Sequence, residues 1–393
     1  MQKNRISNSP RVDSPSPTRT KSTPWLFRVS FLLLLPLILA TVLFRIEPFE
    51  PVHFPVHEIT RLNLAATVAR NSNMLRGSEV VGKGRVAGPE DLVYDEAARV
   101  VYTGCEDGWI KRVRLSNDSV SDSVEDWVNT GGRPLGLAFD HHGSLIVGDA
   151  NKGLLRVTMD KKVEVLTDEV DGLKFKLTDG VDVAKDGIIY FTDASYKYSL
   201  KDHSLDLFEG RPHGRFMSYD PTTKKTKVLA NNLFFPNGVS VSPDQQFVIF
   251  CESLLMKCKK YYIEGPKKGT IDKFCDLPGA PDNIHYDEQG TNYWIGIATE
   301  YTAEFELALR YPFIRKAIVI FSKYIMNPSL SKNGGIIAVD LEGKPIAHYY
   351  DPKLSLTAGI KIGNHIYCGS ISHPYIIRLD VKEYPATPTQ FQQ

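Results

Sequence analysis

Six copies of one short pattern constrain what this 393-residue chain can fold into. Each copy opens with a polar or small residue, runs on as an alternating apolar stretch, turns, and ends in a second strongly β run. The copies are Glu90-Asp91-Leu92-Val93-Tyr94-Asp95, Leu135-Gly136-Leu137-Ala138-Phe139-Asp140, Asp179-Gly180-Val181-Asp182-Val183-Ala184, Asn237-Gly238-Val239-Ser240-Val241-Ser242, Asp282-Asn283-Ile284-His285-Tyr286-Asp287 and Ala358-Gly359-Ile360-Lys361-Ile362-Gly363. Their starts lie 45, 44, 58, 45 and 76 residues apart. A base period near 45 suits a four-stranded propeller blade. Hairpins of this pattern cannot bury both faces alone, so they stack radially around an axis. The expectation is an all-β, six-bladed β-propeller over residues 78–385, with a strand at 79–85 closing the ring and 386–393 as a tail. An open β-sandwich is the rival, and it gives no reason for six copies at one spacing.

Two intervals are too long. The third repeat carries extra residues at 196–215, with Asp202, His203 and His213 among them. The fifth carries 300–332, where 303–309 has helical periodicity and 317–324 is a second apolar stretch. Long insertions in a regular repeat form lids over a binding face.

The first strand of every blade lines the axis, so the opening residues of the six copies converge. They read Glu90, Leu135, Asp179, Asn237, Asp282 and Ala358, and Asn283 adds a further oxygen. Carboxylates converging without a counter-charge repel one another. A hard divalent cation resolves this, and calcium takes carboxylate and amide oxygens mixed as they are here. The candidate metal ligands are Glu90, Asn237, Asp282 and Asn283; Asp179, Thr178 or Asp182 offers oxygen from the third blade. No His or Cys stands at these positions, which argues against zinc. The alternative is that Asp and Asn at strand entrances are ordinary turn residues. His213, in Arg211-Pro212-His213-Gly214-Arg215, is a candidate general base. There is no Gly-x-Ser-x-Gly elbow to anchor a serine hydrolase.

Residues 1–24 are rich in Ser, Pro, Thr and basic side chains, and the composition predicts disorder. Up to Ser30 six basic residues face one acid, a net of +5, which leaves the remainder at −4 in a chain of +1. A net charge of +1 argues against a nucleic-acid binder. An uncharged apolar run from Val29 to Phe44, extended by Trp25, Leu26 and Phe27, is long enough for a spanning helix. A signal anchor over 25–45 is the reading preferred to a cleaved signal peptide, because the polar lead is long and no small-x-small site follows. The basic lead then places 1–24 in the cytosol and the propeller in the lumen of the endomembrane system, endoplasmic reticulum or vacuole. Residues 46–77 read as a linker. Asn117-Asp118-Ser119 is a usable glycosylation sequon. Five cysteines are too few for a disulfide scaffold, although Cys251 and Cys258 flank a hairpin tip where a disulfide is possible.

Several motifs resemble the plant strictosidine synthase-like family: Tyr196-Lys197-Tyr198-Ser199-Leu200-Lys201-Asp202, Leu207-Phe208-Glu209-Gly210-Arg211-Pro212-His213-Gly214-Arg215, Gly132-Arg133-Pro134-Leu135-Gly136-Leu137, and Tyr262-Ile263-Glu264-Gly265-Pro266-Lys267-Lys268-Gly269-Thr270. The resemblance spans about residues 80–381. The Phe235-Pro236-Asn237-Gly238-Val239 and Pro281-Asp282-Asn283-Ile284 motifs, with the N-terminal layout, are also similar to adipocyte plasma membrane-associated proteins. Paraoxonases and gluconolactonases, calcium-dependent six-bladed hydrolases, are more distant cousins. Their metal residues would fall on Glu90, Asn237, Asp282 and Asn283. A true strictosidine synthase condenses tryptamine with secologanin and uses a glutamate in the sixth blade. Here that stretch is Thr357-Ala358-Gly359-Ile360-Lys361 and has none; Gly131 also replaces an expected cysteine. The resemblance therefore implies a calcium-supported esterase or lactonase acting on a small molecule, in which Asp179, Asp182 or His213 positions water. A ligand-binding propeller without catalysis and a condensing enzyme are the alternatives.

Overall fold

In a computed structural model, which describes residues 24–59, 68–116, 123–287, 289–325 and 333–388, each repeat becomes one antiparallel sheet. The innermost strands are Leu92–Asp95, Pro134–Phe139, Thr178–Val183, Pro236–Val241, Gly279–Asp287 and Ala358–Ile362. Each pairs outward with the strand that follows it in sequence, so every blade is a simple meander. The six-bladed propeller is thus confirmed. Its closure is also as expected: Glu79–Val81 is the outer strand of blade six, with Glu79 opposite Arg378 and Val81 opposite Ile376. Joining the two ends of the chain in one sheet leaves the ring no free seam.

Residues 46–77 are more than a linker. Within them Ala69–Asn71 adds a fifth, parallel strand to blade five, Ala69 opposite Ala347 and Asn71 opposite Tyr349. Arg70 also bridges to Thr387, so the expected C-terminal tail contributes to the same edge.

Glycine explains how the inner strands approach. The second residue of the repeat is Gly136, Gly180, Gly238 or Gly359 in four blades and Asp91 or Asn283 in the other two. A Cβ at Gly136 would stand 2.4 Å from the carbonyl oxygen of Asp179; at Gly180, 2.5 Å from that of Asn237; at Gly238, 2.4 Å from that of Asp282. The backbone of each following blade occupies the space a side chain would need. Hydroxyls clamp carbonyls at the same ends of the inner strands: Thr192 Oγ1 donates to Asn237 O at 2.7 Å, Ser253 Oγ to Pro281 O at 2.6 Å and Thr357 Oγ1 to Glu90 O at 2.6 Å. The apolar side chains between sheets form the cores, for example Phe191, Phe216, Phe250 and Tyr293, all essentially buried.

In a meander, the second-to-third and outer-to-next-inner connections emerge on one face, the face on which the inner strands begin. Both insertions leave from second-to-third connections. The one in blade three carries a short helix, His203–Glu209; the one in blade five carries two, Ala303–Arg310 and Pro312–Tyr324. We call these α2, α3 and α4, with α1 the helix Pro24–Ile46. The helical periodicity of 303–309 is borne out, and Thr302 caps α3 by accepting from Phe305 N at 3.2 Å. Leu135, Leu177, Phe235, Leu254, Leu255, Met256 and Leu309 pack together as a roof on this face. Arg315 of α4 is fully buried, donates to Phe208 O at 2.9 Å and to Val52 O, and its pKa is pushed down to about 10 by burial. A Cβ on Gly210 would stand 2.3 Å from its Nη1, so that glycine makes room for the guanidinium.

Residues up to Pro48 form a compact unit separate from Phe49 onward. Within it α1 is a 23-residue helix whose Leu32, Leu34, Leu37, Ile38 and Leu39 are exposed. Among the described residues no helix is long and apolar enough to cross a membrane; the side chains of residues 24, 26–28, 30 and 33 are not among them. The expected helix over 25–45 is therefore present, and the membrane crossing is not demonstrated.

The tight inner ring leads to one expectation. Gly238→Ala should destabilise the protein by about 1–3 kcal/mol, because the clash is with backbone that cannot step aside. Differential scanning calorimetry would show a lowered Tm; an unchanged Tm would mean that the blades can separate at no cost.

Candidate metal and substrate site

The opening residues of the inner strands do converge, and almost no solvent reaches them. Glu90, Asp179, Asn237 and Asp282 are all at least nine-tenths buried, and Thr178 is completely so. Five of their oxygens have no hydrogen-bond partner: Glu90 Oε2, Thr178 Oγ1, Asp179 Oδ1, Asn237 Oδ1 and Asp282 Oδ1. Buried polar atoms are normally satisfied, and five orphans where the inner strands of four blades begin call for an explanation. Among the described residues no group of three or more His, Cys, Asp and Glu is set to hold a metal. An ion at the axis would need the Asn237 amide and Thr178 hydroxyl oxygens as well as the carboxylates.

The electrostatics show what crowding these carboxylates out of water does to them. Burial, followed by the Asp91 carboxylate, pushes Glu90 up to about 7, with Arg133 opposing. Burial and then Glu90 push Asp179 well above the carboxylate range. Burial, Glu90 and Asp179 do the same to Asp282. Arg133 is the nearby cation, itself buried, but it spends its guanidinium on Gly88 O at 2.8 Å and Pro134 O at 3.3 Å.

The remaining candidates are placed differently. Asn283 Nδ2 donates to Glu90 Oε1 at 2.8 Å, so its amide nitrogen faces the site and orients the glutamate. Asp182 is saturated: Val183 N donates to Oδ1 at 2.8 Å and Val241 N to Oδ2 at 2.7 Å, so this carboxylate stitches blade three to blade four. Burial nevertheless raises it to about 6. His213 lies in the blade-three insertion, buried, with Nδ1 3.0 Å from Asp206 Oδ2 and its ring against Tyr196 and Tyr198. Ser195 Oγ donates to the same Asp206 oxygen. Beside it Glu209 accepts from Lys197 Nζ at 2.7 Å and Tyr198 OH at 2.8 Å; burial works against its charge, but these partners win and lower its pKa. The sequon at Asn117 lies outside the described residues.

Three features escaped the sequence reading. The first is Asp91, which links blade one to blade two by accepting from Leu137 N at 2.9 Å and sits 2.6 Å from His285 Nε2. Burial disfavours charge on His285, yet Asp91, Asp182 and Glu90 together raise its pKa. The second is Arg133. The third is an acid ending the second strand of blades two, three and four. Asp149 accepts from Arg133 N at 3.0 Å, Asp193 from Leu177 N at 2.9 Å, and Glu252 from Phe234 N at 3.0 Å. Each carboxylate seats the segment that leads into the opening residue of its own blade. The signal was available: an acid closes each of these β runs, in Val147-Gly148-Asp149, Phe191-Thr192-Asp193 and Phe250-Cys251-Glu252. The suspected Cys251–Cys258 disulfide is formed across this last hairpin.

The raised Glu90 gives a pH expectation. A carboxyl that holds its proton more tightly when folded stabilises most below its unfolded pKa, and that stability is lost as pH rises through the folded value. In chelator, stability should fall as pH climbs from about 4.5 through about 7, by at most about 3 kcal/mol for this group. Glu90→Gln should flatten the profile of Tm against pH. A wild-type profile that is flat or rises over this range would contradict the assignment.

The comparisons with known proteins follow from this geometry. A strictosidine synthase family model matches residues 179–266, and a strictosidine synthase-like N-terminal model matches 69–113. The Arabidopsis thaliana protein strictosidine synthase-like 6 is 49% identical over 360 residues, covering 91% of this chain and 96% of its own. The Bos taurus adipocyte plasma membrane-associated protein is 31% identical over 382 residues, covering 90% of each. Among solved structures, a Xanthomonas campestris gluconolactonase superposes with a TM-score of 0.56 at 17% identity over 82% of this chain and 93% of that one. A calcium-binding protein, regucalcin, from Agrobacterium tumefaciens gives 0.54 at 14% identity over 80% and 95%. At these identities the structures show a shared fold, while the sequence matches carry the family: this chain belongs to the strictosidine synthase-like proteins.

Proposed function

We propose that the axial site binds calcium and hydrolyses an ester or lactone of a small molecule. The observation that carries this is the set of five buried oxygens without a donor. Glu90, Asp179, Asn237 and Asp282 would hold the ion, with Thr178 as a further oxygen and Asn283 orienting Glu90. Such an ion supplies Lewis-acid polarisation of a carbonyl and charge stabilisation of the oxyanion. Within the chain, Asp179 is one of three axial carboxylates with an unpaired oxygen, beside Glu90 and Asp282, and the one assigned here to orient water. His213, held by Asp206, is the titratable roof group. Asp182 is withdrawn from a catalytic role because both its oxygens accept backbone N–H groups. The gluconolactonase and regucalcin named above support the reading by likeness of fold alone.

The ligand-binding alternative keeps the same ion and no chemistry. The condensing alternative is disfavoured by the sixth blade, where Lys361 Nζ stands 3.4 Å from Asp287 Oδ2 in place of an acid able to handle an amine proton.

One experiment separates these readings. Asn237→Leu and Asp282→Ala should abolish the rise in Tm that calcium gives the wild type, since an ion bound only to the folded state stabilises by mass action. They should also abolish hydrolysis of a simple aryl ester. A calcium-dependent Tm with no turnover of any ester or lactone would leave the binding module. Enzymic turnover of tryptamine with secologanin would favour the condensing reading. Indifference of both Tm and turnover to calcium would remove the site.

We also propose that α1 is a signal anchor, with residues 1–24 cytosolic and the propeller lumenal. The basic lead and the run of exposed leucines support it. In sealed microsomes the propeller should be protease-protected and should lose a glycosidase-sensitive mass increment in Asn117→Gln. A cleaved signal peptide would instead leave a shortened soluble lumenal chain. A protease-accessible propeller would sink both.

A further inference from the structure

Blades three and four leave a cavity of about 450 Å³ between them, on the face opposite the roof. It opens where the first-to-second strand turns of both blades and the third-to-fourth turn of blade four emerge, since Lys185, Gln245 and Glu264 line it. Cavities of roughly 300–1,000 Å³ take small molecules. None of the axial residues and none of the roof residues contributes to its lining.

The sheet register explains why polar groups gather here. Tyr190 stands opposite Ser218, and Ser218 opposite Lys227, so the three side chains leave one face of blade three in a row. Tyr261 comes toward them from blade four. Its ring is edge-on to Phe216 at 5.8 Å, and the Tyr190 ring stacks on the same Phe216 at 6.1 Å. The two phenols thus share one apolar support. Tyr190 is only 7% exposed, yet neither phenol hydroxyl has a hydrogen-bond partner among the described residues. Buried polar groups are normally paired, so an unpaired phenol on a cavity wall points to a ligand. Burial, then Asp186, Tyr261 and Glu264, push Tyr190 up to about 12, so it keeps its proton and offers an O–H.

The charges around the cavity do not balance. Lys268 is engaged by Glu264 at 3.0 Å. Lys185 and Lys227 are exposed at the rim, and neither makes an ion pair among the described residues. Asp186 is the carboxylate that remains. Two lysines against one aspartate leave a single positive charge. Ile188, Leu229 and Ile263 supply apolar wall.

We propose that this cavity is a second binding site, separate from the axial one, for an aromatic carboxylic acid held as its monoanion. The ring lies among Tyr190, Tyr261 and Leu229, and the carboxylate accepts from the rim lysines and the Tyr190 hydroxyl. Charge-assisted hydrogen bonds of this kind are the strong ones. A dianion would bring one charge that nothing here compensates, and a neutral ring would leave the lysines unused.

The probe is 1-naphthoate, titrated by isothermal calorimetry into the full chain in nonionic detergent and chelator, where the axial carboxylates repel an anion. Its neutral counterpart 1-naphthamide and the dianion 1-naphthyl phosphate are the comparisons. One naphthoate should bind per chain, with both comparisons weaker by about tenfold or more. Lys185→Ala combined with Lys227→Ala should weaken naphthoate by about tenfold or more, and Tyr190→Phe should weaken it severalfold. Lys185→Arg combined with Lys227→Arg should retain most of the affinity. Both lysines are exposed, so these variants should keep the wild-type Tm, which separates lost binding from lost fold. Absence of saturable binding at millimolar naphthoate would overturn the proposal. Equal binding of the amide would reduce the site to an apolar crevice, and tighter binding of the phosphate would make it a site for another class of ligand; either also overturns it. Binding that is indifferent to the lysine and Tyr190 substitutions would place naphthoate elsewhere on the protein and overturn it as well.

Discussion

The arrangement depends on backbone meeting backbone at the axis. Where Gly136, Gly180 and Gly238 carry no side chain, the carbonyl of the next blade's opening residue moves in to fill the space. This brings the opening residues of consecutive blades close enough for their side chains to share one small volume. Nothing about Asp179 or Asp282 alone makes a site. The glycines at the second repeat position do, because they let Asp179, Asn237 and Asp282 come into mutual range and out of water. The cost is visible in the same residues: desolvation is the largest cause of the raised pKa of Glu90, Asp179 and Asp282. A cation bound at the axis, as proposed above, would offset this penalty.

The roof has a different origin. It is assembled from insertions that the repeat does not encode, and the buried Arg315 ties them together. Arg315 bonds α4 to the end of α2 and to the segment entering the propeller, with Gly210 clearing its path. A buried guanidinium left without acceptors is costly, so three stretches far apart in sequence are committed to one another through it. His213, Asp206, Ser195 and Glu209 share one polar cluster in the same region. The roof is thus polar where it meets the blade-three insertion and apolar on the outer side of α4.

How much of this could be read in the chain follows from what repeats. The blades, the closing strand and the converging register were legible because a period of about 45 residues aligns Glu90, Asp179, Asn237 and Asp282 without any structure. Asp182 illustrates the limit. Sequence offers it as one oxygen source of the third blade, but only the structure shows Val183 N and Val241 N consuming both oxygens. Asn283 is similar: sequence presents it as an oxygen donor, and hydrogen bonding turns its nitrogen toward Glu90. Arg133 and Arg315 were not legible as parts of the site or roof, because each acts on main-chain carbonyls, which leave no pattern in sequence. Ala69–Asn71 was missed for a related reason. A three-residue strand bound parallel to a blade edge has no periodicity of its own.

The sixth blade shows how chemistry can change while the fold stays. At the fourth position of the repeat, where blade three has Asp182 and blade five His285, blade six has Lys361. It faces Asp287, which also accepts from Gln289 N and Gly290 N at 3.0 Å and so cannot easily move away. A glutamate introduced at Lys361 would meet that carboxylate and be pushed toward its neutral form, or would push Asp287 there. Restoring an acid to this wall therefore takes more than one substitution: the lysine and its aspartate would have to change together. The pair ties blade six to blade five through charge, in the region where a condensing enzyme of this family would need an unencumbered acid. None of the axial oxygens comes from the sixth blade, so that change removes none of them. The loss of the glutamate therefore weighs against the condensing reading and leaves the metal-supported one as it stands.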